Sequence, residues 1–136
     1  MKISYLLFLV PFFMLSCLQV KRSSCVQDFK ESFAEIKESG NIDFESVNCF
    51  PWDTLMMLAP YHYNEQIKEE TGIVLPNKLS KPYSDKAYFV FIHHNQVQEI
   101  ITISTEQFDL IQYIRQRAFS RSYILWDREN LKDLDF

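Results

Sequence analysis

Apolar residues recur along this chain in three rhythms, and each predicts a different element. Val26, Phe29, Phe33 and Ile36 follow one another at helical spacing, which predicts an amphipathic helix with a Phe-rich stripe. Ser24-Cys25-Val26-Gln27 has the Ser-x-x-Gln form of a capping box, and Gly40 supplies the stop. Alternation comes next, in "NIDFESV", where Ile42 and Phe44 take turns with acids. That predicts a half-buried strand ending near Asn48. The third rhythm is an apolar run, nearly unbroken between Asp53 and Ala59 and framed by Pro51 and Pro60. Prolines lack an amide hydrogen, so this segment reads as a strand with hard edges. Such a strand is covered on both faces by its own domain, or on one face by the domain and on the other by a partner.

Beyond Pro60-Tyr61 the pattern returns to a short helix from about Asn64 to Thr71, with Ile67 inward, Glu65, Glu69 and Glu70 outward, and Gly72 closing it. "VLPNKLSKPYSD" is a polar loop. "KAYFVFIHH" and "QVQEIITIS" predict a hairpin turning at His94-Asn95, where Asn tolerates a left-handed backbone. Ser104-Thr105-Glu106-Gln107 repeats the capping-box pattern ahead of a helix over about 105–118, with Phe108, Leu110, Ile111 and Ile114 on its apolar side. "SYILW" is the last strand and "DRENLKDLDF" a polar tail. The order α-β-β-α-β-β-α-β predicts a single α+β domain, a mostly antiparallel sheet with helices packed on one face, after an N-terminal signal segment.

That signal segment is "MKISYLLFLVPFFMLSC". Lys2 is its positive end, and the apolar stretch to Leu15 is short for a membrane span of roughly 20 residues. "MLSC" resembles the lipobox of bacterial lipoproteins, in which a small residue precedes a cysteine that takes lipid and becomes the new N-terminus. Leu15, Ser16 and Cys17 fit it; Met14 stands where Leu is usual. The resemblance implies a signal peptide over 1–16, lipidation of Cys17, a tether over 17–24 and the α+β domain over 25–136. It also implies a membrane held by the N-terminal lipid and a domain facing the periplasm or the cell exterior. An uncleaved anchor and plain secretion are the alternatives.

Charge and composition narrow the function. The 136 residues carry a formal charge of −4, which becomes −5 once Lys2 is removed with the signal. A mildly acidic chain with scattered cations has no electrostatic footprint for nucleic acid. "KRSS" at Lys21–Ser24 can touch anionic headgroups, at about 1 kcal/mol per cation, or be merely a soluble tether. With Cys17 lipidated, Cys25 and Cys49 form an even pair, either bridged in an oxidising compartment or buried as free thiols. No C-x-x-C occurs. Two glycines, both placed at helix ends, exclude a phosphate-binding glycine loop and a dinucleotide turn.

The three histidines, His62, His93 and His94, show no H-E-x-x-H and no His-x-His. Adjacent strand residues point to opposite faces, so His93 and His94 are not expected to chelate one ion. The sequence therefore nominates no metal site, no cofactor and no catalytic residue. His62 between Tyr61 and Tyr63 is the better site candidate, because it follows a strand end. Arg115, Arg117 and Arg121 cluster where cations complement a helix C-terminus, with an anion-binding face as the sharper alternative.

The segment "FPWD…APY" followed by an acidic helix and Gly72 resembles a motif of small bacterial envelope proteins, commonly lipoproteins. Trp52, Asp53, Pro60 and Tyr61 carry the resemblance, over roughly Phe50 to Ser104; Met56, Met57 and Ala59 depart from it. It implies fold and location and transfers no catalytic residue. Two functions are expected from these readings, with a hydrolase as a third and weaker alternative. The first is a non-enzymatic, lipid-anchored envelope domain working through protein contacts, with an immunity or inhibitor protein as one version. The second is a small-ligand module whose aromatic pocket uses Trp52, Asp53, Tyr61, His62 and Tyr63.

Overall fold

Strands that are apolar on both sides set the architecture. The computed structural model describes residues 22–32, 42, 44–79, 85–106, 112–114 and 122–133. Strands β1 (Thr54–Leu58), β2 (Lys86–His93), β3 (Gln96–Ser104) and β4 (Tyr123–Asp127) form one antiparallel sheet of order β3-β2-β1-β4. β1 is interior, with Leu55 opposite Phe91 on one side and Trp126 on the other. Leu55, Met56, Met57 and Leu58 have no exposed surface. An interior strand covered on both faces needs such a continuous apolar run, because alternate side chains enter different cores.

The chain itself supplies both covers. Leu55, Met57, Phe89 and Phe91 pack under Phe29 of the first helix, α1 (described over 22–32), together with Phe44, Phe50, Trp52 and Leu131. Met56, Leu58, Val90 and Ile92 pack under Ile67 of α2 (Asn64–Thr71) and under Ile73, Leu75 and Leu79. The α+β class and antiparallel sheet are as expected, but helices cover both faces rather than one. No apolar partner face is left along Leu55–Leu58.

Local outcomes divide according to whether the sequence signal lay in the backbone or only in the pattern. The hairpin and α2 form within the expected bounds. His94 and Asn95 take φ of 49° and 62°, the paired left-handed turn that matches strand twist. Gly72 ends α2 at φ 75°, its N–H donating to the Lys68 carbonyl at 2.9 Å.

The expected strand at 42–48 does not form. Phe44–Ser46 is a 3₁₀ turn, with Phe44 N–H donating to the Ile42 carbonyl and Val47 N–H to the Phe44 carbonyl, each at 3.2 Å. Ile42, Phe44 and Val47 are still buried, so the apolar positions were right and the backbone assignment wrong. α1 is already helical at Arg22, so Ser24 is no cap and residues 22–24 belong to the helix rather than to a tether. The "polar tail" winds into a 3₁₀ segment, Arg128–Asp133, that buries Leu131. In the expected helix over 105–118, residues 112–114 are helical and Glu106 N–H donates to Ser104 Oγ at 3.3 Å. Thr105 and Glu106 form a turn rather than helix; residues 107–111 and 115–118, with Arg115 and Arg117, and also Arg121 and the segment 1–21 with Cys17, lie outside the described residues.

Two ties fix α1. A Cys25–Cys49 disulfide joins it to the approach of β1. At its start, Arg22 reaches the edge strand β3, its Nε 2.9 Å from Glu99 Oε2 and an NH2 group donating to the Gln98 carbonyl. Phe91 faces Glu99 and Ile92 faces Val97, so Gln98 is the extra residue of a β-bulge. The bulge and the guanidinium together block this stretch of sheet edge against another strand.

Candidate functional site

The chain concentrates polar groups at one end of the sheet, where β1 begins, β2 ends and β4 ends. Asp53 N–H donates to the Ile92 carbonyl at 2.9 Å, and the Asp53 carbonyl accepts from Arg128 N–H at 2.8 Å. The backbone ladder thus continues one step past β1 on both sides. This places Asp53 cross-strand from His93, on the face shared by Leu55 and Phe91.

His94 joins them because it is a turn residue. An extended backbone there would send its ring to the opposite face; the left-handed φ of 49° instead brings it back. The two imidazoles stack at 3.9 Å between centroids, 27° apart. This corrects the expectation that His93 and His94 are kept apart. The alternation rule was applied to a residue already inside the turn, and the His-Asn pair between two strands was the signal that could have shown it.

The carboxylate of Asp53 is held from several sides. Oδ2 accepts the His94 backbone N–H at 3.0 Å, and Oδ1 accepts the Thr54 hydroxyl at 2.9 Å. His93 Nδ1, shielded from solvent, stands 3.0 Å from Oδ2. The His94 N–H is the main cause lowering the Asp53 pKa below its ordinary value. Partial burial pushes the other way, and Thr54 and His93 add to the lowering. Because the folded value lies below the unfolded one, Asp53 stabilises the fold above about pH 4 and loses that contribution as pH falls further. Thermal unfolding of wild type and Asp53→Asn in chelator-containing buffer tests this. The gap between their midpoints should shrink from pH 5 to pH 2; a constant gap contradicts it.

Beside Asp53 an open groove of about 840 Å³ runs past Trp52, Asp127, Arg128 and Glu129. Trp52 is a wall and not a gate: it is buried, and its Nε1–H donates to the Val47 carbonyl at 2.6 Å. The Arg128 guanidinium lies over its ring at 4.4 Å, a cation–π contact that fixes a cation beside Asp53, Asp127 and Glu129.

The other proposed binding residues sit elsewhere. Tyr61, His62 and Tyr63 follow β1, whereas Trp52 and Asp53 precede it, and the strand between them spans about 16 Å. The five residues therefore do not enclose one aromatic pocket. Tyr61 and Tyr63 are 60% and 72% exposed, while His62 is buried. His62 Nδ1 lies 2.9 Å from the Ala59 carbonyl, which can only accept, so the proton is on Nδ1. Its ring meets Tyr88 edge-on at 5.9 Å. His62 is thus a corner residue that closes the turn out of β1.

No family model, curated protein or solved structure matches the chain. No helix among the described residues is long and apolar enough to cross a membrane.

Proposed function

We propose that this protein is a lipid-anchored domain of the bacterial cell envelope that binds rather than catalyses, and that it binds at the Asp53 end of its sheet. The observation that carries the reading is the Cys25–Cys49 disulfide, a bond that persists in oxidising compartments and is rare in the cytosol. The "MLSC" segment supports the same address, with Cys17 as the point of attachment. Cys25 and Cys49, which sequence offers as nucleophiles, are engaged with each other, and His62 is buried in the corner out of β1, away from the groove.

The partner surface moves as a result. β1 is enclosed and the aromatic pocket is divided, so neither is the binding site. The groove at Trp52, Asp53 and Arg128 offers an anchored aromatic, a fixed cation and open carboxylates on a rigid strand end, which suits a polar, cationic ligand or protein loop.

Fractionation tests the address. Wild type should sediment with membranes and leave them in detergent, while Cys17→Ser should appear in the membrane pellet only as unprocessed precursor or be lost to the soluble fraction. A wild-type chain in the cytosolic fraction with both other thiols alkylatable contradicts the reading.

A further inference from the structure

We propose that Asp53, His93 and His94 form a binding site for a divalent first-row transition-metal ion such as Zn²⁺, Ni²⁺ or Cu²⁺. One carboxylate oxygen and one nitrogen from each imidazole lie within 4.8 Å of one another. Donor atoms around a tetrahedral ion with bonds of about 2.0–2.2 Å are roughly 3.3 Å apart. The Asp53–His93 edge, at 3.0 Å, is already at that separation. The two edges to the exposed His94 ring are no longer than 4.8 Å.

Three features single out this cluster from a chance meeting of polar side chains. A non-glycine residue in the left-handed region is uncommon, and here it is what brings the second imidazole to the first. His93 Nδ1 is shielded from solvent and stands 3.0 Å from the Asp53 carboxylate, so two donor atoms of the set already face each other. The carboxylate is oriented by outer partners, the His94 N–H and the Thr54 hydroxyl, as the ligands of metal sites are.

The donor set selects the ion. Two imidazoles and a carboxylate suit zinc, nickel and copper, whereas calcium and magnesium take oxygen ligands. Asp127 and Glu129 line the groove that Asp53 shares, which favours the approach of a cation. Three protein ligands leave coordination positions open to water or to a donor from a bound partner.

Titration of the tag-free full chain with ZnCl₂, followed by calorimetry and by imidazole NMR signals, tests the site. One ion should bind per chain and shift the His93 and His94 resonances, leaving His62 as the internal control. His94→Asn keeps a residue suited to the left-handed turn, and His93→Gln keeps a side chain of similar reach. Each should weaken binding by at least about tenfold, the loss seen on removing even an outer partner of a metal ligand. Thr54→Val, which removes such a partner and no ligand, should weaken it by roughly 10-fold. The proposal is overturned if the folded His93→Gln/His94→Asn double variant binds zinc, nickel and copper as tightly as wild type does. It is equally overturned if wild type binds none of the three.

Discussion

Truncating Phe91 to alanine should cost about 3–5 kcal/mol. Phe91 has no exposed surface and meets Phe29, Phe50 and Trp52 at centroid distances of 5.7, 5.4 and 5.2 Å. It is the point where α1, the disulfide-tied segment and β2 converge. The surrounding rings are restrained by the Trp52 hydrogen bond to Val47 and by the bridge, which limits their collapse into the gap. A domain of this size holds only about 5–15 kcal/mol in total. Urea unfolding should therefore show a midpoint lowered by about a fifth or more. Tyr63→Ala, at an exposed position, should stay within about 0.5 kcal/mol of wild type. A Phe91→Ala loss under about 1 kcal/mol would mean that this layer is not packed as described.

The second large effect belongs to the disulfide. Cys25 and Cys49 are 24 residues apart, and closing a loop of that length in the unfolded chain is worth about 3.5 kcal/mol in the chain-entropy model. The bridge holds α1 over the sheet face that Phe29 covers, so its loss loosens one core and leaves the α2 core intact. Cys25→Ser/Cys49→Ser should lose about 2–5 kcal/mol. Reductant should destabilise wild type by the same amount and leave the double variant unchanged. Equal sensitivity of both proteins to reductant would contradict the assignment. Because Phe91 and the bridge act on the same layer, their combined effect should not be additive.

How much of this was legible in the sequence depended on which physical signal carried it. The β2–β3 hairpin and α2 were readable because backbone chemistry marked their ends: an Asn in the turn and a glycine free to take φ 75°. β1 was readable as a strand from its proline frame, but not what covered it, since a run apolar on both faces is the same whether its second cover is intramolecular or a partner. The segment at 42–48 misled because burial of Ile42 and Phe44 is compatible with either a strand or a tight 3₁₀ turn; the pattern specified the side chains' destination and left the backbone open.

The candidate site was half legible. Asp53 stood out, but its partners are about 40 residues away, and only the register of β1 against β2 places them together. Tyr61, His62 and Tyr63 attracted attention by proximity in sequence, while β1 carries them to the far end of the sheet. His93 and His94 were set aside by a rule for strands that stops applying at a left-handed turn.

Mass spectrometry of the native chain, digested without reduction, bears most directly on where this protein works. An N-terminal peptide beginning at an acylated Cys17, together with a crosslinked peptide pair containing Cys25 and Cys49, is the predicted result. Recovery of Met1 on an unmodified chain, with Cys25 and Cys49 both as free thiols, would contradict it.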